Sequence, residues 1–147
     1  MTKDDPKGSF IRWQSITIGQ LTYAINLILG FSVATLGFQV TLLLNEKFNP
    51  VSWQKCAFSS SLILLITSVI FGVLVVINRL RDFRVTTKAA RKREDGADET
   101  DIEQYRILYR KLGKNTWYLF WWQIGTFSVG VLFTVLSVWT TASTKLL

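Results

Sequence analysis

Groups that could carry acid-base, metal or nucleophilic chemistry are scarce in this sequence. There is no His, one Cys (Cys56) and ten acidic residues. Without His the chain lacks the side chain that titrates nearest neutrality and the commonest metal ligand, and one Cys cannot build an internal disulfide or a thiolate zinc site. Histidine-based hydrolases and structural zinc modules are therefore excluded. There is no Gly-rich phosphate loop, nucleophile elbow or metal-ligand spacing. Cys56 stands outside a lipobox and reads as a small packing residue. The expectation is a protein that is not an enzyme and needs no cofactor.

The polar groups of interest are amides, a basic block and one acid. Gln20, Asn26, Gln39 and Gln123 fall inside long uncharged runs, where an amide either lines an aqueous path or bonds to a neighbouring helix. Arg79, Arg81, Arg84 and Lys88, joined later by Arg110 and Lys114, form a basic collar beside those runs. Such a collar either holds anionic inner-leaflet lipid or is topogenic charge with salt bridges between helices. Asp82 is the lone acid in Asn78-Arg79-Leu80-Arg81-Asp82-Phe83-Arg84. It is expected to pair structurally with Arg79, Arg110 or Lys114, or to form a gating bridge at a pore mouth.

The elements that position these groups follow from where charge is absent. Trp13–Asn45, Cys56–Asn78 and Asn115–Thr144 contain no charged residue and run for 33, 23 and 30 residues. Crossing the hydrocarbon core, ~30 Å thick, takes about 20 apolar residues as a helix. The sequence therefore predicts three transmembrane helices, about 21–44, 57–78 and 117–141. The first run is too long for a signal peptide and no small-x-small site follows it, so it is expected to stay as an anchor. Basic residues then set the orientation. The segment before the first span and the stretch 79–114 carry 14 of the 17, against 3 in the connection 46–55 and the tail. The positive-inside rule puts the N-terminus and 79–114 in the cytoplasm and the C-terminus outside. Trp13, Trp53, Trp117, Tyr118, Trp121, Trp122 and Trp139 fall at span ends, as interfacial aromatic belts do. Asn49-Pro50 reads as N-cap and first residue of the second helix.

Between the second and third spans, Leu80, Phe83, Thr87 and Ala90, and then Ile102, Tyr105, Tyr109 and Leu112, recur with a/d spacing. Asp95-Gly96-Ala97-Asp98 supplies turn chemistry, and Thr100 with Glu103 has the form of a capping box. The fold class expected is thus an all-α membrane protein. Its second and third helices extend into a cytoplasmic antiparallel helical hairpin at about 79–114. Each extension would reach roughly 20 Å. Gly113 is either a hinge below the membrane or a tolerated packing glycine. Glu94–Glu103 holds six acids and no base, so acids mark the tip and bases the membrane-proximal parts. Nucleic acid is not expected as a partner, because no aromatic platform or docking motif accompanies the basic residues.

Inside the spans there is no ionisable acid, base or His, and no inverted repeat is evident. Proton-coupled pumping and alternating access are disfavoured. Small residues form stripes instead: Gly30-xxx-Ala34, Ser68-xxx-Gly72 and Thr126-xxx-Gly130-xxx-Thr134 permit close helix approach within or between protomers. Three short spans cannot enclose water unaided, so any pore would be oligomeric.

The order of spans, the basic extension Arg79-Leu80-Arg81-Asp82-Phe83-Arg84-Val85-Thr86-Thr87-Lys88-Ala89-Ala90-Arg91 and the aromatic re-entry Trp117-Tyr118-Leu119-Phe120-Trp121-Trp122-Gln123 resemble small bacterial multi-span membrane proteins. In plan the chain is similar to the SLATT group of membrane effectors. It departs from that group in having a third span and in placing its cytoplasmic helices between spans, and no site residue carries over. Spans, charge and small-residue stripes together lead to the expectation of a bacterial inner-membrane homo-oligomer forming a pore or membrane-perturbing assembly. Its hairpin would sense or assemble, with anionic lipid as partner. The alternative is a non-conducting scaffold or accessory subunit that recruits a cytoplasmic protein.

Overall fold

In a computed structural model of the 147-residue chain, residues 6–46, 48, 50–96 and 99–146 are described, with side chains placed for 15–46, 48, 50–96, 100 and 103–143. Among them are three helices and no strand: α1 (Pro6–Leu43), α2 (Ser52–Glu94) and α3 (Glu99–Leu146). All three contain a stretch long and apolar enough to cross a membrane. At about 1.5 Å per residue, the 43 residues of α2 and 48 of α3 are roughly twice the length a bilayer core requires. Each continues without a break from its apolar part into its charged part.

Register between the helices can be read from their cross-links. Gln54 meets Ser137 and Thr141, Ser61 meets Gly130 and Thr134, Ser68 meets Gln123, and Asn78 meets Leu112 and Thr116. Every pair straddles the Asp95–Gly96 turn at nearly equal distances along the chain, so α2 and α3 run antiparallel. At that turn Gly96 has φ +72°, a left-handed conformation that glycine adopts without a Cβ clash. α1 is antiparallel to α2 in the same manner, with Ser32 opposite Ser68 and Gln39 opposite Ser61. It packs less extensively on the other two than they do on each other.

The buried face of α2 is a heptad stripe. Gln54, Phe58, Ser61, Leu65, Ser68, Gly72, Val75 and Asn78, then Ala89, lie inside; the steps alternate four and three as far as Val75, as antiparallel coiled-coil packing requires, and a second step of three leads to Asn78. On α3 the matching positions are Thr116, Phe120, Gln123, Gly130, Thr134, Ser137 and Thr141. Continuity of this stripe corrects the sequence reading of the α2 extension. Leu80 and Phe83 are 58% and 52% exposed, and Thr87 and Ala90 are exposed too, while Asp82, Val85 and Ala89 turn inward. From Asn78 the inward residues again follow steps of four and three through Asp82, Val85 and Ala89, so the face set by packing in the apolar part, and not the local apolar spacing, leads into the extension. Tyr105, Tyr109 and Leu112 of α3 are partly buried as expected; the side chain of Ile102 lies outside the described residues.

Helix ends also differ in detail. The N-cap of α2 is Val51, not Asn49, and its backbone N–H donates to Gln54 Oε1 at 2.8 Å; Asn49 itself, like Ala97 and Asp98 of the turn, lies outside the described residues. Helix α3 begins at Glu99, so Thr100 is already helical. Gly113 sits within uninterrupted helix, and a Cβ there would meet nothing within 4 Å. The close approaches are at Gly72 and Gly130. A Cβ on Gly72 would lie 2.7 Å from Gln123 Nε2, and one on Gly130 would lie 3.0 Å from Leu65 Cγ.

Candidate functional site

Along the apolar parts of the helices the interior of the bundle is more polar than its surface. Among the described residues, eleven polar side chains are buried against six apolar ones, while Ile, Leu, Val, Phe and Trp crowd the exposed set. A water-soluble domain has the opposite arrangement.

These interior groups form stacked polar layers separated by apolar ones. At the end near the α1–α2 connection, Ser137 Oγ donates to the Gln54 carbonyl at 3.3 Å and Thr141 Oγ1 to Gln54 Oε1 at 3.2 Å. One layer further in, Gln39 of α1 donates through Nε2 to Ser61 Oγ at 2.5 Å and to Thr134 Oγ1 at 2.7 Å. Ser61 in turn donates to the Gly130 carbonyl at 2.8 Å. All three helices thus meet at one amide. The next layer joins Ser32, Ser68 and the Gln123 carbonyl. Beyond the apolar layer of Ile25, Val75 and Phe120, Asn78 Nδ2 donates to the Leu112 carbonyl and to Thr116 Oγ1, both at 2.8 Å. Each such bond between apolar-span helices contributes roughly 0.6 kcal/mol, up to about 1.7.

Two amides in this seam are incompletely satisfied. Gln39 is 0% exposed with Oε1 unpartnered, and Gln123 is 0% exposed with neither Nε2 nor Oε1 partnered. Leaving a buried polar atom without a bond costs about 1–3 kcal/mol. The Gln123 amide is packed against Gly72.

Just past the Asn78 layer lies Arg79, the collar residue that is partly buried; Arg81, Arg84, Lys88, Arg110 and Lys114 are exposed. Its guanidinium donates to the Thr22 hydroxyl and to the Ile18 carbonyl of α1, the latter at 3.3 Å, and lies 5.6 Å from the Phe83 ring. Burial lowers its pKa from the usual arginine value and the charge of Asp82 partly opposes this; it remains a cation at physiological pH. For Asp82 burial raises the carboxyl pKa, and the Arg79 charge partly offsets it. Its Oδ1 has no hydrogen-bond partner, and the guanidinium of Arg79 bonds to α1 instead. Further out, Lys92 Nζ lies 5.2 Å from the Tyr105 ring and ties the two extensions together.

Of the amides singled out in the sequence, Gln39 and Gln123 are both buried in the seam, in neighbouring layers, whereas Gln20 and Asn26 are exposed on α1. Ser32, Gln54, Asn78, Thr116 and Thr22 were not singled out. The signal for Gln54 and Thr116 was the seven-residue recurrence Gln54, Ser61, Ser68 and its antiparallel counterpart Thr116, Gln123, Gly130, Ser137. No protein family, curated protein or solved structure matches this chain. The reading of the site therefore rests on its own geometry.

Proposed function

We propose that the protein is a multi-pass protein of a bacterial inner membrane, with the N-terminus and the α2–α3 turn cytoplasmic and the C-terminus outside. Its function in this reading is that of a non-conducting scaffold that presents a rigid helical hairpin to a cytoplasmic partner. The observation that carries it is the polar seam, which is closed within one chain while the exposed side chains around it are apolar. Aromatic belts give a consistent thickness: from Trp117 or Trp122 to Trp139 the helix rises about 25–33 Å, close to the ~30 Å core. Trp53 stands at the level of Trp139, and Phe71 at that of Trp122.

On the hairpin, Tyr105 and Tyr109 face the seam, so a partner would meet Ile107 and Leu108, which are 62% and 44% exposed. The test is co-purification from membranes. Ile107→Glu with Leu108→Glu should abolish capture of a cytoplasmic protein while the chain stays membrane-bound; retention of all partners would count against the scaffold.

A second reading, an oligomeric pore, is favoured by the unpartnered Gln39 and Gln123 atoms, which would become lining groups if α1 moved off the α2–α3 pair. Dye or ion leakage from liposomes holding purified oligomer, lost in Gln123→Leu, would establish that reading over the scaffold.

A further inference from the structure

On the exposed side of the α1–α2 contact, Thr22 and Asn26 of α1 and Val76, Arg79, Leu80 and Phe83 of α2 line a groove of about 300 Å³. By local spacing Leu80 and Phe83 belong to the hairpin seam; they face this groove instead. From these residues we propose a binding site for one anionic phospholipid, its phosphate at Arg79 and the start of its acyl chains against Val76. This inference rests on the membrane reading above.

Depth, charge and shape each support it. Asn78 bonds to Thr116, next to Trp117, so Arg79 lies within about one helical turn, ~5 Å, beyond the aromatic belt. Headgroups occupy roughly the first 5–8 Å outside the hydrocarbon, which is the level of a lipid phosphate. Arginine's planar fork has five donors; two of its nitrogens are engaged by Thr22 and Ile18, which fixes the guanidinium while leaving donors free. The Asn26 amide is exposed beside it. A soluble phosphate would use Arg79 but not Val76, which lies about one helical turn deeper along α2. The five other collar bases are exposed and unlodged, so they attract the leaflet as a whole while Arg79 selects one lipid. Asp82, a turn further from the membrane, opposes an anion in the groove.

Native mass spectrometry of the full chain in mild detergent, titrated with phosphatidylglycerol and with phosphatidylcholine of the same acyl composition, tests this. Expected is a one-to-one adduct preferring phosphatidylglycerol by about fivefold, the ratio for one basic contact of ~1 kcal/mol. Arg79→Gln should bring the preference close to one and Arg79→Lys retain part of it. Arg84→Gln and Lys88→Gln should leave it unchanged, and Asp82→Asn should increase it. Equal binding of the two lipids, equal loss in Lys88→Gln and Arg79→Gln, or full displacement by inorganic phosphate overturns the proposal. Should Arg79→Gln misfold by circular dichroism, Asp82→Asn and Asn26→Leu decide, the latter expected to weaken binding. Resistance of the chain to alkaline carbonate extraction is scored separately: extraction refutes the membrane reading itself, whereas retention without lipid preference refutes the site alone.

Discussion

At the scale of single residues, Gln123 and Asp82 hold polar atoms where burial penalises them. Gln123 is wedged against Gly72 with its amide unsatisfied. Gln123→Leu should therefore raise thermal stability in detergent by about 1–3 kcal/mol, a gain visible as a higher unfolding temperature. Gly72→Ala, whose new Cβ would enter the same space at 2.7 Å from Nε2, should lower it by a similar ~1–3 kcal/mol through overpacking. In the double variant the two effects are coupled, because both act on one contact. For Asp82 the sign runs with the raised pKa. Its protonated form is favoured on folding, so that contribution is present below the unfolded carboxyl value and is lost as pH rises through the higher folded value. Asp82→Asn should thus be as stable as the parent in acid and more stable near neutrality. The gain should stay within about 1 kcal/mol, because the group is partly solvated and screened. Melting curves across pH 3–8 check it, and a loss of stability at neutral pH would instead mean that the carboxylate is held by a favourable ion pair.

The helices themselves were legible in the sequence because each uncharged, apolar run exceeds the length of about twenty residues that a bilayer core demands of a helix. Turn chemistry at Asp95-Gly96 was legible on local grounds too: only certain residues accept those backbone angles. What misled was the α2 extension, where Leu80 and Phe83 satisfied an a/d pattern locally. Hydrophobicity marks the inward face of a helix only when the surroundings are water; next to a span whose interior is Ser, Gln and Gly, the inward stripe is polar and apolar residues face out. Gln39 and Gln123 could be picked out as amides in apolar runs, but the meeting of Gln39 with Ser61 and Thr134, and of Gln123 with Gly72, depends on register between helices distant in sequence. Small residues now divide by use. Gly72 and Gly130 are close approaches inside the chain, while a Cβ on Gly30, Gly37 or Gly125 meets nothing. Gly130→Leu should unfold the bundle or lower its melting temperature markedly. Gly30→Leu should leave it folded, and a change in its oligomer size by light scattering would place copies of α1 against one another.

At the scale of the whole molecule, orientation is the property on which both functional readings depend, and the chain carries its own reporter. Cys56 is the single cysteine in the sequence and is exposed near the start of α2, four residues from the N-terminal end of that helix at Ser52. In the proposed orientation fourteen basic residues lie on the other side, and moving them across would work against the inner-leaflet charge bias. A membrane-impermeant maleimide added to intact spheroplasts should therefore label Cys56. It should fail to label a Cys56→Ser, Asp95→Cys chain until the membrane is opened, since Asp95 sits at the opposite end of α2. The distance between those two positions is itself informative. About 39 residues of continuous helix rise nearly 60 Å, of which the bilayer core takes ~30 Å, leaving the turn well clear of the headgroups. A pore formed by opening of the seam would need Gln39 of α1 to leave Ser61 and Thr134. Labelling a cysteine at Ser61 in a Cys56→Ser chain distinguishes the two states: protection throughout fits the closed scaffold, and reaction in assembled protein fits a water-filled path.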